Sequence, residues 1–234
     1  MELPRPLHTW QVSSQEALNI QKILGGRVQT SSAHHPIRFI AGLAASFSLV
    51  ENLWIAGVVL WDLQQQKVRE EHVATHTEIF TDEDPELLAF REVPALLKAL
   101  EKLEITPDLL MLDGHGVDHP RRMGEASHLG VFTELPAMGC SENSVFGESD
   151  EPASERGAKA KLMYNGHVVG MVLRTKKEEK PLYISIGHQI DLASAEEIVL
   201  RCTTNHALPE PIFLAGSLVA KAKQEIFMIL KKKK

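Results

Sequence analysis

Apolar residues along the chain change period several times, and each change marks an element. Ser13 and Ser14 stand before QEALNIQKILGG, which reads as a serine-capped helix stopped by Gly25–Gly26. From Ile37, IRFIAGLAASFSL alternates small and apolar residues and predicts a first strand. ENLWIAGVVLWDL and KVREEHVATHTEI continue the strand pattern across the short turn QQQK, so these three segments predict an antiparallel meander. Between Glu86 and Leu103, residues Leu87, Leu88, Phe90, Leu96, Leu97, Leu100 and Leu103 recur at helical spacing. Pro94 lies inside that stretch and predicts a kink or a two-part helix.

Pro107 and Asp108 lead into LLMLDG, an apolar run without alternation, as expected of a strand buried on both faces that ends at Asp113–Gly114. A helix from Met123 to Glu134 and a short strand PAMGC from Pro136 follow. GESDEPASERGAKAK, from Gly147, is polar and turn-rich and predicts a surface loop. LMYNGHVVGMVLRT and PLYISIG predict a hairpin-like pair of strands. DLASAEEIVLRCTT predicts a helix capped by its aspartate, and LPEPIFLAGSLVAKAKQEIFMIL a closing helix. The order predicts an α/β fold with a mixed sheet, three antiparallel strands followed by parallel strands with flanking helices. One domain over 1–234 is expected, ending in a basic tail at 231–234. Sites in such sheets gather at the carboxyl ends of strands, where Asp113 stands.

Composition narrows the partners. With 44% hydrophobic and 24% charged residues, 234 residues suffice for a sizeable core. The longest apolar runs, such as Trp54 to Trp61, are far too short to span a bilayer, so no membrane partner is expected. The start MELPRPLHTW shows no secretory pattern, and Cys140 and Cys202 form no motif; a cytoplasmic chain with two reduced thiols is expected. The net charge is −6, and the four tail lysines leave about −10 on the body, so the overall field does not draw in a phosphate backbone. Such contact requires a local basic stripe, for which Arg121–Arg122, Arg174–Lys176–Lys177 and the terminal lysines are candidates.

Asp113 is the strongest candidate for chemistry. It follows a buried strand and stands beside Gly114 and Gly116, where backbone can approach a ligand. Its alternative is a turn cap after the strand. His72 and His76 lie four apart in a strand, about 13 Å from each other, and are expected to be exposed rather than metal-binding. His34–His35 is expected to be solvated, and His115 and His119 are expected to position their loop.

The run DGHGVDHPRRMGEASHLG, from Asp113 to Gly130, resembles the endonuclease V family pattern DG-x-G-x-x-HPR followed by A-S-H. IAGLAASF, LLAFREVPALL, PLYISIGH and LPEP resemble further family blocks in the right order, so the likeness runs from about Ile37 to Pro211. It implies the ribonuclease-H-like fold and a magnesium-dependent (Mg2+) cut one bond past inosine in DNA or RNA. Carried over residue by residue, it implies Asp113 and Glu92 as metal carboxylates and catalytic residues, with His188 assisting proton transfer. It also implies a substrate loop of Gly114, His119, Arg121, Arg122 and Gly124. Three positions depart from the family pattern. The first-strand metal aspartate is Ala44, the lysine near the reacting phosphate is Glu142, and the aromatic wedge is Glu83, flanked by Asp82 and Asp84. Alanine coordinates nothing, and the acids repel a phosphate backbone. The resemblance with these departures implies a pseudoenzyme-like protein that acts on or binds inosine-containing nucleic acid with impaired cleavage. A non-catalytic binding or scaffold protein on the same fold, with nucleic acid or a protein as partner, is the alternative.

Overall fold

Eight strands hydrogen-bond into one mixed sheet in the order β3-β2-β1-β4-β5-β8-β7-β6 in a computed structural model of the chain, which describes residues 1–32 and 36–231. The His34–His35 pair and Lys232–Lys234 lie outside the described residues. Helix α1 (Ser14–Gly25) begins as its sequence predicts: Ser13 N–H donates to Glu16 Oε2 at 2.8 Å while Glu16 N–H donates to Ser13 Oγ. This reciprocal capping box satisfies backbone donors that a helix start leaves open. The meander is β1 (Phe39–Ser48), β2 (Leu53–Asp62) and β3 (Lys67–Thr77), each pair antiparallel.

A single 3-10 turn at Pro85–Leu87 leads into α2 (Leu88–Leu100), which runs unbroken through Pro94. The expected interruption therefore falls at the helix start instead of at the proline. Strand β4 (Leu109–Leu112) then pairs parallel with β1, and β5 (Ala137–Ser141) pairs parallel with β4, with α3 (Glu125–Thr133) crossing between them. The segment from Leu162 to Thr175 is two strands: β6 (Lys159–Tyr164) and β7 (His167–Leu173). Asn165 and Gly166 both adopt left-handed backbone, φ 49° and 79°, and form the tight turn that such a dipeptide favours. Strand β8 (Leu182–His188) returns antiparallel to both β5 and β7. Helices α4 (Leu192–Cys202) and α5 (Glu210–Lys231) complete the chain.

The alternation of the strands divides the core. Leu43, Val58, Leu110 and Leu112 turn to the face covered by α2 and α3, while Ile40, Leu109 and Met111 turn to the opposite face, which α4 covers and α5 shares. Helix α5 lies hard against β1. A Cβ on Gly42 would fall 2.2 Å from the Pro211 backbone, so only glycine admits this approach. Ala44 is 5% exposed and packs with Ile55, Val59, Ala215 and Val219 under that helix.

Candidate functional site

The parallel ladder between β1 and β4 sets Leu43 beside Leu112, and Asp113 N–H continues it by donating to Leu43 O at 3.0 Å. One rung further, Ala44 is the neighbour of Asp113. Adjacent strands lie about 4.8 Å apart, so an acid at 44 would stand beside the Asp113 carboxylate. The methyl of Ala44 faces aliphatic side chains instead.

Asp113 opens to solvent at the rim, yet the protein around it still desolvates its carboxyl. That desolvation and the Glu142 charge push its pKa up, opposed by His115. Glu142, directly after β5, is exposed and close enough to Asp113 for this effect. Glu92 comes from α2 and is 7% exposed; burial first, then the charges of Glu125 and Asp113, hold its carboxyl well above the usual range. The structure thus brings Glu92, Asp113 and Glu142 into electrostatic reach.

It adds three groups that the sequence did not single out as a set. Glu125, buried in the first turn of α3, accepts the His115 N–H at 3.0 Å. Asp118, also buried, bonds His115 Nδ1 at 2.7 Å and accepts the Gly116 N–H at 2.7 Å. Burial opposes the charge of His115, but the Asp118 hydrogen bond and the surrounding carboxylates outweigh it, and its pKa is raised. The carboxylate of Glu125 is itself pushed up by burial, against the pull of His115. Their signal in the sequence was faint. Asp118 sits three residues beyond His115 in a turn-rich run, the spacing at which an aspartate bonds its own loop.

Glycine shapes this loop by letting backbone meet backbone. A Cβ on Gly116 would lie 2.0 Å from Ile186 O, and one on Gly124 would lie 2.6 Å from the His115 carbonyl. Gly114 has Glu125 as its neighbour, 3.2 Å from where its Cβ would be. His119 is buried, with Nε2 against Glu86 O at 2.8 Å and Nδ1 accepting the Arg121 N–H. Burial brings its pKa down to about 4, so it is a neutral tie between the loop and the turn before α2. Arg121 is tied there too: Nε donates to Gln21 Oε1 at 2.7 Å, and the guanidinium pairs with the Glu86 carboxylate. Arg122, with left-handed backbone at φ 58°, lines two open clefts of about 470 and 400 Å3, one of which also holds Lys22 and the other His167.

His188 stands apart. It pairs with Ala137 at the start of β5, while Asp113 follows the far end of β4. Three rungs at about 3.3 Å and two strand spacings at about 4.8 Å separate their backbones by roughly 14 Å. Its Nδ1 accepts the Gln29 N–H at 3.3 Å, and burial lowers its pKa. The antiparallel return of β8 puts its carboxyl end at the opposite edge of the sheet, so this geometry does not place His188 with Asp113 and Glu92.

Glu83 lies on an acidic segment held by its neighbours: Asp82 accepts the Ser14 hydroxyl, and Asp84 Oδ1 accepts the Glu86 N–H at 2.9 Å. Among the described residues, no three His, Cys, Asp or Glu side chains are placed to hold one metal ion together. With Ala44 sealed among aliphatic groups and Glu92 buried, the residues present do not fit the divalent ion that the resemblance implies. The arrangement supplies a clamped polar loop, with an open carboxylate at its entrance.

The endonuclease V family profile matches residues 22–217. An endonuclease V of Roseiflexus sp. is 42% identical over 211 residues, spanning 90% of this chain and 94% of its own. The crystal structure of the endonuclease V of Streptomyces avermitilis has a TM-score of 0.88 at 35% identity, covering 93% of this chain and 96% of that one. Ciona intestinalis endonuclease V, in complex with a 24mer DNA containing an inosine followed by a ribo-adenosine, shares the fold with a TM-score of 0.78 at 24% identity, covering 91% of this chain and 98% of that one. The mixed sheet with flanking helices is the ribonuclease-H-like α/β fold of these structures.

Proposed function

The chain belongs to the endonuclease V family, and from that premise we propose that it binds inosine-containing nucleic acid while cleaving it poorly or not at all. The observation that carries the proposal is Ala44, one rung from Asp113 and covered by α5. Binding is supported by the loop from Asp113 to Gly124, which Glu125 and Asp118 clamp through His115 and Gly116. It is supported too by a family relative whose structure holds inosine-containing DNA. Impaired cleavage is supported by chemistry: alanine at 44 offers no oxygen to a divalent ion, so Asp113 has no partner acid on β1.

The test is incubation of the full chain with inosine-containing DNA and RNA strands, with magnesium or manganese, read both as retention and as cutting. Retention of inosine strands over matched guanine strands, without cutting, is the expected result. Equal retention of both strands removes inosine recognition from the proposal. Rapid cutting removes the impairment. The Ala44→Asp variant in the same assay is expected to gain metal-dependent cutting.

A second reading rests on Glu142. Its charge reaches Asp113, so it is positioned to replace the acid missing at 44. Magnesium affinity compared between the native chain and Glu142→Ala decides this; equal affinity rules the replacement out.

A further inference from the structure

Large apolar side chains lie open to solvent at one corner of the molecule. Leu49 and Val50, in the turn between β1 and β2, are exposed, as are Phe227, Met228 and Ile229 on α5. The turn and the helix meet across an open cleft of about 520 Å3, with Phe47, Leu49 and Val50 on one side and Ala220 and Phe227 on the other. Exposed apolar surface of this kind marks a place where something binds. One charge sits in this apolar setting. Lys223 is half-buried, and among the described residues it is the only charged side chain lining the cleft. Its Nζ donates to Ser46 Oγ at 2.9 Å and to Phe47 O at 2.7 Å, both neutral oxygens. An ammonium has three N–H donors, so one remains for a further acceptor. Glu51, the one acid of the turn, is held by the Ser48 hydroxyl and does not line the cleft.

We propose that this cleft binds an unbranched apolar monocarboxylate, with its carboxylate on Lys223 and its chain along Phe227, Leu49 and Val50. Charge complementarity selects the head group. A single cation fixed by β1 neutralises a monoanion fully, whereas a phosphate monoester would keep excess charge among apolar walls. The walls select the tail. From Lys223 to Phe227 the helix rises about 6 Å, which an extended chain covers in about five bonds. Chains of about six to eight carbons therefore reach past the Phe227 ring. Small-ligand sites commonly have this build, apolar walls with a few fixed polar groups. The cleft is independent of the nucleic-acid reading above.

The experiment is calorimetric titration of the full chain with butanoate, hexanoate and octanoate, and with octanol, alongside the variants Lys223→Gln and Leu49→Glu. Saturable binding of octanoate is expected, with affinity rising about twofold to fourfold for each methylene added. Octanol is expected to bind at least about tenfold more weakly, and Lys223→Gln to remove that difference. Leu49 is 86% exposed, so Leu49→Glu is expected to leave the melting temperature unchanged. It sets an acid against the chain, and octanoate affinity is expected to fall about tenfold. This variant decides the matter if Lys223→Gln does not fold. Equal binding of octanoate and octanol overturns the carboxylate contact. Octanoate binding that Leu49→Glu leaves unchanged places the ligand elsewhere and overturns the site. Absence of saturable octanoate binding overturns the proposal as well. Dimerisation in sedimentation that Leu49→Glu abolishes, or binding to phosphatidylcholine vesicles, with no octanoate uptake, assigns the corner to a second copy or to a lipid surface instead.

Discussion

Asp113, just past the end of β4, and Ala44, midway along β1, are lateral neighbours across two parallel strands, yet their surroundings are chemical opposites. On the β4 side, Glu92, Glu125, Asp118 and His115 form a dense polar group, with much of its hydrogen-bonding capacity matched by the loop backbone. On the β1 side, Ala44 is one of five buried aliphatic residues pressed between the strands and α5. A reaction that needs carboxylates from both strands finds them on one only. The loop and the rung beside it are therefore independent: the loop is held by its own hydrogen bonds, while Ala44 belongs to the core.

The strongest way to break this contrast is Ala44→Asp. Placing an acid among Ile55, Val59 and Val219 is expected to cost about 3 kcal/mol without metal. At about 2–4 °C per kcal/mol for a chain of this size, melting drops by roughly 6–12 °C, with recovery on adding manganese. No loss of stability would show that the site is open rather than sealed.

Next in size is Asp118→Ala, which removes the partner of His115 Nδ1 and one of the two acceptors of the Gly116 N–H, leaving Ser185 Oγ. A loss of about 2 kcal/mol in thermal melts is expected, with weaker retention of inosine strands. Unaltered retention would mean that the Asp118 contacts in the loop play no part in binding.

Glu92→Gln sharpens the contrast in the opposite direction. Glu92 is buried with a raised pKa, so its contribution to stability is present at acid pH and is lost as pH rises through the folded pKa. Removing the charge is expected to raise stability at pH 7 by about 1 kcal/mol, with little change near pH 4. Destabilisation at pH 7 would show that its carboxylate is compensated by contacts outside this set.

His119 gives a smaller, pH-confined effect. Its pKa falls from 6.5 to about 4, so the unfolded chain takes up the proton first, and its share of stability is lost as pH drops through that window. Melts between pH 7 and 4 are expected to show a decline that His119→Gln partly flattens. Smallest is Lys177→Ala: its partners Glu155 and Glu178 are exposed, and a change under about 0.5 kcal/mol is expected.

Period and caps made most elements legible. The serine cap of α1, the meander and the continuous run of β4 lie where the residue pattern put them. The Asn165–Gly166 turn was legible as well, but a long apolar run masked it, and one strand was expected where two occur. Pro94 signalled a break that packing of α2 against the sheet overrides. At the site, Asp113 and Glu92 come together, whereas His188 goes to the other edge, because strand direction is set by long-range pairing that no local pattern encodes. Glu125 was invisible for a similar reason: an acid in a first helical turn is common, and only the fold turns this one toward the His115 backbone. The sealing of Ala44 depends on α5, more than 160 residues further along the chain.

Calorimetric titration of magnesium and of manganese into the full chain decides whether a divalent-metal centre assembles at Asp113. The predicted result is no saturable binding that depends on Asp113, with the native chain and Asp113→Asn giving the same trace. A one-to-one isotherm in the native chain that disappears in Asp113→Asn would contradict it.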